Sequence, residues 1–380
     1  MSTFESLAIA PALRSKLAPM GITEPTEIQA AAIPPLLEGK DGILQAQTGT
    51  GKTLAYLLPV LSRLDPDRQE LQAIVIAPTH ELSMQIVQVI RDLTDGGKLF
   101  AQQLIGGANI RHQVERLKKR PPIVVGTPGR LAELISSGKL KAQQAGIVVI
   151  DEVDHLLDAT FRSEVIRILK ATPRSRQTIF ASATIPAEVQ DVARRWMNDP
   201  VHLQVAGPMK LPAGISHGYM VVEERDKIDA LRRLLHAEAP QAALAFLNDA
   251  SRLDELQSKL SFKGLRVATL QGGSHKLERG AVLRQFRDGK TQLLLATEVA
   301  ARGLDIPALT HVFNFDLPTD ADHYLHRAGR TGRSGKPGTV ISLVTERERF
   351  VISKFADALG LPFEQVDASH GKVRRVGGQA

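Results

Sequence analysis

The chain has 380 residues, 43% of them apolar, which is enough for two domains that each bury a core. Its 48 basic and 41 acidic residues leave a net charge of +7, a bias that suits an anionic partner such as nucleic acid without requiring one. Cysteine is absent, which excludes disulfides, thiol catalysis and cysteine-ligated zinc or iron–sulfur centres.

The first residues, "MSTFESLAIAPALRSKL", have no basic start followed by a sustained apolar run, so no signal peptide is expected. Runs such as "AGIVVI" are too short to span a bilayer. A soluble, cytoplasmic protein is the expectation, with no membrane partner. Short β-branched or apolar runs then recur, each followed by a helical pattern. In the first half they are 41–46, 73–78, 122–128, 147–152 and 177–184. Continuous apolar strands between helices indicate parallel sheets covered on both faces.

"AQTGTGKT" (46–53) follows the first of these runs and opens the helical "TLAYLLPVLSRL". Glycines let backbone N–H groups turn toward phosphate oxygens, and a helix N-terminus adds a favourable dipole. Ala46, Gln47, Thr48, Gly49, Thr50 and Gly51 would cradle the phosphates, Lys52 would reach the β and γ groups, and Thr53 would ligate Mg²⁺. The strict pattern has glycine where this chain has Ala46. Downstream, "IVVIDEVD" carries a buried strand to Asp151 and Glu152. Asp151 would hold Mg²⁺, largely through water, and Glu152 would orient and deprotonate the attacking water.

"AGPMKLPAGIS" (206–216) is rich in proline and glycine and reads as a linker. A second series of strands follows at 243–248, 266–273, 292–297, 311–318 and 338–344. The expected fold is α/β: two tandem domains, each a mostly parallel sheet flanked by helices, with a cleft between them. The boundaries are 1–206, a linker at 207–215, and 216–366, with 367–380 as a loose basic tail. Polar residues cluster just after the strands of both series, where ligands of open α/β sheets bind. With only one Trp, three Tyr and twelve Phe, the chain can build little of a base-stacking platform.

"AQTGTGKT", "DEVD", "SAT" (182–184) and "HRAGRTGR" (326–333), in that order, resemble the DEAD-box ATP-dependent RNA helicases of superfamily 2, of a short bacterial type with a DEVD variant. The resemblance runs from Phe4 to about residue 345 and implies two RecA-like domains, with ATP and Mg²⁺ as cofactors. It makes "GITEPTEIQ" (21–29) an adenine motif, with Thr26 and Gln29 at the base and Phe4, seventeen residues before Gly21, stacked on it. It makes Arg330 and Arg333 arginine fingers on the γ-phosphate, three apart and so on one face of a helix, with His326 and Arg327 bracing them. Asp305, in "ARGLDIP" beside Gly303, would contact the ribose. Ser182 and Thr184 would link the ATP state to unwinding. The RNA contacts it implies are Pro78, Thr79, His80, Gly106, Gly107, Thr127, Pro128, Gly129, Arg130, Gly272, Thr297 and Arg302. Backbone phosphates and 2′-OH groups, not base edges, would be gripped.

The chain departs from the family pattern at several positions. His80 stands for Arg, Val153 for Ala, Ile22 and Glu27 for Phe and Pro, Gln271 for His and Glu298 for Asp. None removes a group needed for ATP hydrolysis, but several fall on the RNA side. The function implied is RNA-stimulated ATP hydrolysis coupled to domain closure and local unwinding of short duplexes by a monomer, with ribosome assembly on pre-ribosomal particles or RNA turnover as the setting. The same residues would serve an ATP-dependent RNA clamp without productive unwinding, or a DNA helicase or translocase. A small-molecule P-loop enzyme leaves "HRAGRTGR" without a purpose.

Overall fold

Runs of valine, isoleucine and leucine with no polar face to show to water set the strands in both halves of the chain. The computed structural model describes residues 3–46, 50–95, 97–158, 160–204, 214–270, 276–301, 309–332, 336–369 and 371–376, with the backbone alone at 276–279, 299 and 322. The chain divides into two compact units, Met1–Ala206 and Gly207–Ala380. Most of the expected linker, residues 207–213 of 207–215, lies outside the described residues.

The first unit holds β1 (Gly42–Gln45), β2 (Ala73–Ile76), β3 (Ala101–Leu104), β4 (Ile123–Gly126), β5 (Ile147–Asp151), β6 (Gln177–Ser182) and β7 (Val201–Gln204). They form one parallel sheet in the order β3-β4-β2-β5-β6-β1-β7. Every residue of β2, β4, β5 and β6 is buried. Alternate side chains feed two apolar layers. Val75, Val125 and Val149 enter one with the helices Glu27–Leu37, Lys52–Arg63 and His80–Thr94. Ile74, Val124 and Ile150 enter the other with Pro128–Ser136, Arg162–Ala171 and Ala187–Trp196. The edge strands β3 and β7 alternate between more and less buried residues, so "AQQL" and "VHLQ" lack the continuous apolar run that marks the others.

The second unit holds β8 (Ile215–Val221), β9 (Ala243–Leu247), β10 (Val267–Leu270), β11 (Leu293–Thr297), β12 (His311–Asn314), β13 (Gly338–Val344), β14 (Glu364–Ser369) and β15 (Lys372–Arg375). Their order is β10-β11-β9-β12-β13-β8-β14-β15, parallel except for the β14–β15 hairpin. Two expectations need correction. The second unit is already in strand at Ile215, and the stretch read as a loose tail from 367 is a sheet-edge hairpin as far as Arg375. Val366 and Ala368 point into the core while their neighbours face out, and Gly371 at φ +71° supplies the turn. Low apolar content here reflects a strand with one wet face. No helix among the described residues is long and apolar enough to cross a membrane.

A titratable pair lies inside the second unit. His217 on β8 is buried, with its Nδ1 2.7 Å from the Tyr324 hydroxyl and its ring against Phe363. Burial lowers the imidazole pKa to about 4 and raises that of the tyrosine. A base that resists protonation only when folded lends stability above its unfolded pKa, and that stability is lost as pH falls. Unfolding of the second unit by urea should therefore become easier between about pH 6.5 and pH 4, by about 3 kcal/mol at most. His217→Gln should flatten that part of the profile. An identical pH dependence in the variant would show that His217 does not titrate this way.

Candidate functional site

All strands of the first sheet run the same way, so the residues that follow them share one edge. The strand order sorts them into two groups. The ends of β5, β6 and β1 lie side by side and carry Asp151, Ser182 and Ala46. The ends of β3, β4 and β2 lie side by side and lead to Gly106, Thr127 and Pro78.

In the first group Gly51 caps the helix Lys52–Arg63 in the left-handed region, at φ +90°. A Cβ there would collide with the amide nitrogen of Gln29, so glycine is required twice over. The Gln29 side chain accepts from the Thr26 amide at 3.0 Å and donates to the Gly51 carbonyl at 3.1 Å, joining the adenine motif to the phosphate loop. Gln47, Thr48 and Gly49 lie outside the described residues. Lys52 donates to the Ala46 carbonyl. Burial lowers its pKa, while Asp151, Glu152 and Asp154 pull it back up.

Asp151 ends β5 and accepts from the Tyr56 hydroxyl at 2.8 Å and the Glu152 amide at 3.0 Å. Burial raises its pKa, and the Lys52 charge and the Tyr56 bond oppose that rise. Thr53 lies on the same helix as Tyr56, about one turn before it. Glu152 is held at φ +52°, a conformation a glutamate rarely adopts, which turns the chain sharply between strand and helix. The Thr184 hydroxyl donates to Asp154 at 2.6 Å, and the Ala46 amide donates to the Ser182 carbonyl at 3.0 Å. "DEVD", "SAT" and the phosphate loop thus form one bonded cluster. Val153 is fully buried in it. Phe4, expected to stack on a base, is 4% exposed and packs in the core with Leu7, Ile9 and Leu13.

In the second group the Thr79 hydroxyl caps the helix His80–Thr94 by accepting from the Leu82 amide at 3.1 Å. A Cβ placed on Gly106 or Gly107 would stand 3.9 Å from the His80 ring, so "PTHEL" and the glycine pair are neighbours. The Gly106 amide donates to the Thr127 hydroxyl at 3.4 Å. Pro128 opens the next helix, and space is open around Gly129. Arg130, expected on a phosphate, is 9% exposed. Both terminal nitrogens of its guanidinium donate to the Ala108 carbonyl at 3.2 Å, and Nε donates to Glu133 at 2.9 Å. In this structure Arg130 fixes the glycine loop.

In the second unit Thr297 ends β11, and its hydroxyl accepts from the Ala300 amide at 3.3 Å. Arg327 is the hub, 2% exposed. It donates to the Asp316 carbonyl and to Asn248 Oδ1, both at 2.8 Å, pairs with Glu298 at 3.3 Å and lies over the Phe246 ring. His323 is 3.8 Å from the same Glu298 carboxylate. The helix carrying His326 and Arg327 stops at Ala328, and Thr331 then bridges to Leu309. Arg330 therefore lies in a turn beyond the helix, with its amide bonded to the Arg327 carbonyl at 3.1 Å. Arg330 is thus off the helix, whose C-cap is Gly329, and its expected shared face with Arg333 falls outside the described residues. Gly272, Arg302, Gly303, Asp305 and Arg333 lie outside the described residues. Tyr56 and Asn248 escaped the sequence analysis; Tyr56 carried a signal, since it falls one helical turn after Lys52 and Thr53.

Residues 26–192 match the DEAD/DEAH box helicase family, and residues 226–335 match the helicase conserved C-terminal domain. The chain is 45% identical to the DEAD-box ATP-dependent RNA helicase CshC of Bacillus cereus over 92% of its own length and 90% of that protein's. It belongs to the DEAD-box helicase family. The probable ATP-dependent RNA helicase YfmL of Bacillus subtilis is 43% identical, over 93% of this chain and 94% of the relative. Among solved structures, S. cerevisiae Dbp5 bound to RNA and ADP BeF3 matches with a TM-score of 0.86 at 30% identity, over 96% of each chain. Mss116p bound to ssRNA and AMP-PNP matches with a TM-score of 0.83 at 26% identity, over 97% of this helicase and 80% of that chain. Both structural neighbours carry the same two RecA-like units that the sequence led us to expect.

The bonding of Arg130 separates two roles for it in this DEAD-box chain. If it clamps the glycine loop, Arg130→Ala should destabilise the first unit by about 1–2 kcal/mol with no RNA present, because a part-buried carbonyl loses a charged donor. Urea unfolding of the nucleic-acid-free protein reads this. Unchanged stability with weakened RNA binding would return Arg130 to the phosphate role.

Proposed function

We propose that this protein is an ATP-dependent RNA helicase in which both units act on one nucleotide and RNA-stimulated hydrolysis opens short duplexes locally. The observation that carries this is the sorting of motifs along one sheet edge, with "DEVD" and "SAT" bonded together on one side and the glycine loop beside His80 on the other. Lys52 leaves the Ala46 carbonyl for the β and γ phosphates. Gln29 and Thr26 meet the adenine edge. The carboxylates of Asp151, Glu152 and Asp154 bear on the single ammonium of Lys52, an excess of negative charge that suits a divalent cation. Thr53 and Asp151 would hold Mg²⁺ there, which when bound neutralises charge on the transferred phosphoryl group.

Glu152 orients the attacking water and takes its proton. Ser182 and Thr184 pass the state of that cluster to the RNA side through the Asp154 bond. Arg330 reaches the γ-phosphate from the second unit, with Arg333 as its proposed companion, and Arg327 positions the turn that carries Arg330 by anchoring the end of the helix before it. Asp305 and Gly303 take the ribose. On the RNA side Pro78, Thr79, His80, Gly106, Gly107, Thr127, Pro128 and Gly129 serve the first unit, and Gly272, Thr297 and Arg302 the second. Grip through phosphates and 2′-OH groups makes affinity salt-dependent and nearly independent of sequence. Cytoplasmic ribosome assembly or RNA turnover is the setting we propose, and in-cell crosslinking with sequencing of bound RNA tests it.

Two variants test the chemistry. Glu152→Gln should bind ATP and Mg²⁺ normally but lose nearly all RNA-stimulated turnover, since only the base is removed; a near-normal rate would eliminate Glu152. Arg330→Ala should leave ATP affinity without RNA almost unchanged and lower RNA-stimulated turnover by roughly 10³-fold or more, as expected for an arginine finger. Parallel strand-displacement and nucleotide-affinity assays read both. An Arg330 variant that hydrolyses ATP at the wild-type rate would refute the contribution of the second unit.

A further inference from the structure

At the opposite end of the first sheet, where the strands begin, the surface folds into a cleft of about 530 Å³. Its walls come from three segments: the approach to β2, the approach to β4, and the turn after the helix Pro128–Ser136. The floor is apolar, made by Leu71, Pro121 and Leu140, all buried. The rim carries Lys118, Arg120, Lys139 and Lys141, all exposed. Lys118 is paired with Glu115, and the one carboxylate in the lining, Glu70, is paired with Arg68. Among the described residues Arg120, Lys139 and Lys141 form no ion pair. Three cations from two segments thus face one cleft with no anion to balance them.

The rim is held in place by backbone bonds. The Lys139 amide donates to the Leu134 carbonyl at 2.9 Å, and the Arg120 amide donates to the Leu117 carbonyl at 3.0 Å. Arg120 sits at φ +51°, a conformation that costs an arginine energy. The Gln72 side chain pins the remaining wall, donating to the Asp65 carbonyl at 2.7 Å and accepting from the Asp65 amide at 2.9 Å. Cations carried on an anchored backbone around an apolar floor suit a ligand with phosphates and flat rings, the chemistry of a nucleotide chain.

We propose that this cleft is a second RNA-binding site, gripping phosphates through Arg120, Lys139 and Lys141 while sugar or base faces rest on the floor. The proposal builds on the RNA helicase function above, because that function brings long RNA to the protein. The strand β4 separates the cleft from the Thr127 loop by four residues, about 13 Å of extended chain. The loops and the cleft lie at opposite ends of the strands, so a strand held on the loops must travel round the unit before it can fill the cleft. A long RNA can, either by wrapping around the unit or by offering a flanking segment. The site would anchor the enzyme beside the duplex it opens.

The test compares RNA affinity for oligo(U) of about ten and about fifty nucleotides in the wild type and in Arg120→Gly/Lys139→Gln/Lys141→Gln. Glycine suits the left-handed position of residue 120, and the two glutamines replace exposed lysines, so folding should survive; thermal unfolding checks it. The proposal expects the variant to lose about tenfold in affinity for the long RNA, with its salt slope reduced by about 2, and to keep wild-type affinity and ATPase stimulation with the short one. Unchanged affinity for the long RNA overturns the proposal and leaves the cleft to another anion, such as an acidic peptide. Equal losses for both lengths also overturn it, since they mean a general charge effect on the motif loops. Absence of ATPase stimulation by either RNA in the wild type would instead refute the helicase function.

Discussion

A parallel sheet commits every strand to end on the same side, and the chemistry of this helicase depends on that constraint. Motifs far apart in sequence become neighbours only because β1, β5 and β6 are adjacent and aligned. Ala46 and Ser182 are joined by a backbone bond that simply continues the ladder. The same constraint places the glycine loop next to His80, because β3, β4 and β2 are adjacent in turn. Fully buried central strands make the edge rigid, and a rigid edge keeps Asp151 and Lys52 near enough for each to bear on the charge of the other.

The electrostatic arrangement follows from burial. Asp151 and Lys52 each resist their charged form when taken from water, and each supports the charge of the other. Tyr56 adds a neutral donor from beneath. In the second unit Arg327 solves a similar problem differently. A guanidinium that is almost fully buried needs acceptors on every side, and it finds them in Asp316, Asn248 and Glu298. Glu298, one carbon longer than the aspartate of the family pattern, is one of these acceptors.

Much of this was legible in the chain. Central strands announced themselves as apolar runs, and the phosphate loop and "DEVD" carried their chemistry in their spacing. Edge elements were not legible, because β3, β7 and β14 show water one face and so look polar on average. Arg130 illustrates a different limit. Its residue type suits a phosphate, but only the fold reveals that the Ala108 carbonyl and Glu133 already hold it. Phe4 is a third case, since an apolar ring near an N-terminus serves packing and stacking equally well, and its surroundings alone distinguish them. Arg330 falls in a turn because the helix before it stops at Ala328, an end that spacing alone did not mark.

The bond between Gln29 and the Gly51 carbonyl has a consequence for fidelity. The side chain proposed to read the base is already fastened to the loop proposed to hold the phosphates. Its oxygen is taken by the Thr26 amide, and one of its two N–H groups by the Gly51 carbonyl, which leaves the other N–H for a ligand. Base choice and phosphate grip therefore hang on one side chain, and a change at Gln29 would disturb both together instead of relaxing selectivity alone.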